Sequence, residues 1–156
     1  MSAFLATVLT FERTQILMDY EFLEITSDVM FQAYGESEAA LFENVGRAMF
    51  SVICEIESVQ PEKEVQITVS AENLEELLFE WLSRLLSESE IIEMFFTEFH
   101  VDEIQNKDGD FTLRGRALGE DSTVEKGGTL VKGVTYYNFK IEEKEGLLVA
   151  TVTLDI

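Results

Sequence analysis

The chain has 156 residues, 31 acidic and 11 basic, for a formal charge of −20. That length suits one domain with one good core. The charge argues against phosphate-backbone binding as the main activity and favours a cation or a basic protein partner, although on charge alone a solvated acidic surface is the better account.

Residues 1–17 are apolar from Ala3 to Thr10, but no basic stretch precedes them and Glu12-Arg13 interrupts the run. The stretch is too short to span a bilayer and makes a poor signal peptide. It reads as a weakly ordered extension outside a single domain at 18–156, in a cytoplasmic protein with no membrane partner. Two strand-like runs, 20–24 and 29–34, then flank the turn Thr26-Ser27-Asp28. A first helix is predicted over 37–57, with Ser37 as N-cap and an apolar stripe of Leu41, Phe42, Val45, Met49, Val52, Ile53 and Ile56. Gly46 inside it costs about 1 kcal/mol against Ala, which implies a close neighbour.

Residues 64–69 alternate as a strand after Pro61. A second helix is predicted over 72–87, with Leu74, Leu77, Leu78, Trp81, Leu82, Leu85 and Leu86 on one face and Glu72, Glu75 and Glu76 at its positive end. Strand-like runs at 91–104, 110–118, 132–142 and 147–155 follow, separated by turns at Asn106-Lys107-Asp108-Gly109, Gly127-Gly128 and Glu145-Gly146. The expected architecture is α+β: a two-layer sandwich with both helices on one face of a mixed, largely antiparallel sheet.

A lone cysteine, Cys54, excludes an internal disulfide and a cysteine-built zinc site, and falls on an apolar helix face as a small core residue. The one histidine, His100, alternates opposite Phe99 and Val101 with Glu98 as its same-face neighbour, so it reads as a solvent-facing strand residue. No nucleophilic triad can be assembled around it. Carboxylates are the more informative residues. If the last strand lies beside the Asp28 turn, Asp28, Asp155 and the α-carboxylate of Ile156 converge, an all-oxygen set suited to a hard cation. The plainer alternative has Asp28 capping a turn and Asp155 fraying into solvent. Glu120 and Lys132 bracket the loop 121–131. A hairpin there would hold them near each other, as a surface ion pair of little energetic consequence or as part of a site.

The segment Glu24-Ile25-Thr26-Ser27-Asp28-Val29, the helix 39–50, the stretch 77–86, the pair Gly119-Glu120, the run Val131-Lys132-Gly133-Val134-Thr135-Tyr136 and the ending Asp155-Ile156 resemble, in that order, the archease family. The resemblance covers about 18–156. It implies a non-enzymatic cofactor of an RtcB-type RNA-splicing ligase, helping the ligase become guanylylated from GTP during tRNA splicing. It also implies a divalent cation, calcium before magnesium or manganese, on Asp28, Asp155 and Ile156, with Glu120 and Lys132 serving activation. A chaperone-like partnership with a tRNA methyltransferase is a further implication. A metal-dependent hydrolase using the same carboxylates is the rival class. Two features depart from the family pattern: Ile25 and Tyr137 stand where histidines are usual, and the loop around Gly127-Gly128 lacks another.

Overall fold

The computed structural model describes residues 18–25 and 27–156; the segment 1–17 and Thr26 lie outside the described residues. Among the described residues, seven strands and two long helices are ordered as β1 (Tyr20–Ile25), β2 (Asp28–Gly35), α1 (Glu38–Ile53), β3 (Lys63–Ala71), α2 (Leu74–Ile92), β4 (Met94–Lys107), β5 (Asp110–Asp121), β6 (Gly133–Lys144) and β7 (Leu147–Asp155), with a short 3-10 turn at Ile56–Ser58. Among the described residues no helix is long and apolar enough to cross a membrane.

The expected α+β class holds, with one refinement. The strands sort into two sheets, β1-β2-β7-β6 and β3-β5-β4, and every described pairing is antiparallel. Both helices touch strands of both sheets, so the helix pair ties the sheets around one core. At its centre Trp81 is fully buried and donates its indole N–H to the Phe42 carbonyl, 3.0 Å away. Burying the polar edge of that ring unpaired would offset part of the ~1.5–3 kcal/mol that a large buried side chain contributes.

Ser37 caps α1 as its sequence suggests, its hydroxyl accepting from the Ala40 amide at 3.1 Å. The close neighbour expected at Gly46 is Phe99: a Cβ on Gly46 would stand 3.0 Å from its ring. α1 stops at Ile53, short of the predicted end, for a physical reason. The amides of Gly128 and Thr129 bond the carbonyls of Ile53 and Val52 at 2.8 and 2.9 Å, taking the acceptors that another turn would need. Gly128 also lies so near the helix end that an added Cβ would meet the Val52 oxygen at 2.6 Å.

α2 differs the other way. Asn73 caps it through the Glu76 amide at 2.8 Å, and the helix runs on through Ile91 and Ile92, which the sequence pattern assigned to a strand. Glu93, left-handed at φ 54°, ends it. Ser89 then bonds the Met94 carbonyl across that turn, so β4 starts at Met94.

The tight turns are well foreseen. Asp108-Gly109 and Glu145-Gly146 both adopt positive φ, which short antiparallel connections need. Gly127-Gly128 is not such a turn, because β5 and β6 belong to different sheets. Residues 122–132 instead form a strap across the end of α1.

Candidate functional site

β7 is the strand that builds the site. Its residues Val152 and Leu154 are fully buried, and it pairs with β2 on one side and β6 on the other. A strand held on both edges cannot fray, which settles where Asp155 lies. Asp28 stands directly opposite Asp155 in the β2–β7 ladder, and Gly133 stands opposite Asp155 on the other flank. The Lys132 amide donates to the Asp155 carbonyl at 2.7 Å, closing the strap onto the same point. The side chain of Ile156 packs against the core edge.

Directly opposed residues of an antiparallel pair send their side chains from the same face, with Cβ atoms about 5 Å apart. Asp28 and Asp155 are both exposed, and no cation or donor side chain engages either carboxylate among the described residues. Two like charges so placed destabilise the pair unless something neutralises them. Two residues earlier on the same face of β7, Thr153 is 2 % exposed and its hydroxyl finds no partner among the described residues. Lys132 is exposed, and its ammonium has no described partner either. No three His, Cys, Asp or Glu side chains gather there or elsewhere among the described residues; this corner supplies two opposed carboxylates. An all-oxygen donor set with excess negative charge fits a hard divalent cation.

Glu120 sits elsewhere. It ends β5 with its side chain 13 % exposed, bonded by the Lys126 ammonium at 2.5 Å and by the Gln60 amide at 2.6 Å. The Lys126 bond first, then that of the Gln60 amide, hold its carboxyl below the usual carboxylate range. Lys126 also donates to the Ser58 carbonyl at 2.9 Å, so one ammonium fastens the strap to β5 and to the 3-10 turn. The hairpin expected to hold Glu120 beside Lys132 is therefore absent. Glu120 anchors the first half of the strap, and Lys132 leaves its far end at Asp155. Nothing in the spacing of the sequence marks Lys126 beyond its being a basic residue in an acidic loop.

The lone cysteine and histidine take quiet places. Cys54 is buried, its thiol is pushed up to about 12 by desolvation, and its sulfur lies 3.3 Å from the Phe50 carbonyl. His100 is half-exposed on β4, with its Nε2 3.3 Å from Glu98.

A sequence model of the Archease protein family matches residues 20–156. The chain belongs to the archease family. An archease of Methanosarcina mazei is 40 % identical over 139 residues, covering 88 % of this chain and 95 % of that protein. The archease of Methanopyrus kandleri is 35 % identical over 141 residues, 89 % of this chain and all of that one. Among solved structures, the solution structure of Methanobacterium thermoautotrophicum protein 1598 superposes with a TM-score of 0.77 at 31 % identity, covering 88 % of this chain and 99 % of that one. The crystal structure of an archease, described as a possible chaperone, from Thermotoga maritima has a TM-score of 0.54 at 20 % identity, over 86 % of this chain and 94 % of that one, and shares the fold.

Proposed function

We propose that this chain is a non-enzymatic activator of an RtcB-type RNA-splicing ligase, promoting guanylylation of the ligase and repeated turnover in tRNA splicing. One observation supports this reading above the others: Asp28 and Asp155 face each other across β2 and β7 with no described side chain neutralising them. Their carboxylates, with the Ile156 main-chain carboxyl, would hold a divalent cation, calcium before magnesium or manganese. Bound there, the cation supplies fixed positive charge at an exposed strand end. Lys132 adds an ammonium at that end, within reach of a phosphate or an acidic group of the partner. Glu120 acts through the strap, as a positioning residue that keeps Lys132 beside Asp155.

The test is a guanylylation assay with the ligase of the same organism, GTP, and this chain with or without a chelator. Faster guanylylation that calcium or magnesium restores is the expected result. Phosphatase or nuclease turnover by the pure chain would instead indicate a metal-dependent hydrolase. The description of the Thermotoga maritima protein as a possible chaperone favours a second reading, in which the chain accompanies a client such as a tRNA methyltransferase. Protection of that enzyme from aggregation without any effect on the ligase would select it.

A further inference from the structure

The edge strand β6 carries an irregularity that the activator reading does not use. Thr135 pairs with Thr153, but the next ladder pair is Lys140 with Thr151, so residues 136–139 stand opposite Val152 alone. Such a bulge bends the strand and re-aims its side chains. Within it Asn138 takes a left-handed φ of 52°. Tyr136 and Tyr137 emerge 59 % and 66 % exposed.

Tyr136 is held rigidly. Its ring stacks on Phe79 of α2 with centroids 3.9 Å apart and planes 4° from parallel, and Phe139 meets both rings edge-on. Its hydroxyl donates to Glu76 at 3.3 Å. Desolvation first, then the Glu76 and Glu80 carboxylates, raise that hydroxyl above the usual phenol range. The basic residues of β6 do not cancel them: Lys140 and Lys144 lie 3.5 and 3.3 Å from Glu142 on their own strand.

A bulge and charged residues such as Lys140 and Lys144 already guard the β6 edge against pairing, and that job does not call for exposed aromatic rings. Two exposed tyrosines do the opposite, and Tyr is a residue that interfaces enrich. We propose that the β6 bulge is a docking shelf for an arginine-bearing segment of a protein partner, its guanidinium lying on the open face of Tyr136, whose hydroxyl edge Glu76 holds. A planar cation suits a ring face, and a carboxylate at the ring edge complements it. The charge of −20 gathers basic partners and repels nucleic acid, whose bases could otherwise stack on the same ring. The shelf begins three residues beyond Gly133, the β6 residue opposite Asp155. It depends on neither the cation nor the ligase.

The test titrates the full chain, at ~0.15 M salt to screen the general field, with a fluorescent peptide alternating arginine and glycine, its lysine twin, and an oligouridylate. The arginine peptide is expected to bind at least about fivefold tighter than the lysine twin. Tyr136→Leu and Tyr137→Ser are expected to weaken it about five- to thirtyfold, whereas Asp110→Asn, at the far β4–β5 turn, changes it little. If Tyr136→Leu melts early, Tyr137→Ser carries the comparison, because that ring touches mainly solvent. Equal affinity for both peptides with indifferent variants overturns the shelf, as does displacement of the arginine peptide by the oligouridylate.

Discussion

Two acidic corners sit at opposite ends of the strap 122–132, and they are built on contrary principles. At the Glu120 corner each carboxylate oxygen has a donor, the group is largely covered, and one lysine stitches three segments together. At the Asp28–Asp155 corner the carboxylates are exposed, face each other in register, and have no described counter-charge. A satisfied carboxylate has its donors within the fold. An unsatisfied pair in register keeps its lone pairs open to a ligand from outside, a difference that burial alone does not show.

The largest effect falls on the exposed corner. Asp28→Ala is expected to lower ligase guanylylation at least about a hundredfold while stability stays within roughly 0.5 kcal/mol of wild type or rises, because repulsion is relieved. Single-turnover guanylylation beside a thermal melt reads both; full activation by this variant would remove the corner from function. Next is the strap between the corners. Gly128→Val sets a side chain against the Val52 oxygen, where even a Cβ comes within 2.6 Å. A loss of roughly 1–3 kcal/mol in urea unfolding is expected, and an unchanged midpoint would mean that the strap yields freely.

Lys132→Ala sharpens the same comparison. Activation should drop about tenfold with stability changed by less than about 0.5 kcal/mol, since the side chain is exposed and has no described partner. Activation that merely follows the folded fraction would make Lys132 structural. The smallest effect belongs to Glu120→Gln, and its signature is pH. A carboxyl held below its unfolded value contributes stability that is complete above the unfolded pKa and is lost as pH falls through the lower, folded one. The melting difference between wild type and variant should therefore be present near pH 7 and shrink by about pH 3. A gap that persists in acid would assign the loss to packing.

Much of the fold was legible because periodicity is local. The α1 and α2 stripes, the Ser37 cap and the Asp108-Gly109 and Glu145-Gly146 turns all follow from spacings within a few residues. Errors arose where a distant partner decided the outcome. α1 ends where the strap takes its carbonyls, whereas α2 was misjudged locally, its apolar Ile91-Ile92 pair reading as the start of a strand that begins at Met94 after the Glu93 turn. The Asp28 and Asp155 carboxylates could be suspected from the apolar β7 that carries Asp155, although only the register shows them opposed. Lys126 and the Gln60 amide gave no local signal, because their bond to Glu120 joins segments far apart in the chain. The β6 bulge was hidden for a related reason: it shows only against Val152 of the neighbouring strand.

The place of β7 between β2 and β6 also governs how the chain reaches this state. The Gln32–Thr151 bond within the β2–β7 ladder spans 119 residues, so β2 keeps an open edge until the far end of the sequence arrives. Closing so long a loop slows folding and leaves β1 and β2 exposed to wrong pairings meanwhile. The first sheet is thus completed late, and α1, packed on the face of β2, leaves that edge open until then. The strand that fixes the acidic corner is also the one that closes the longest loop of its sheet.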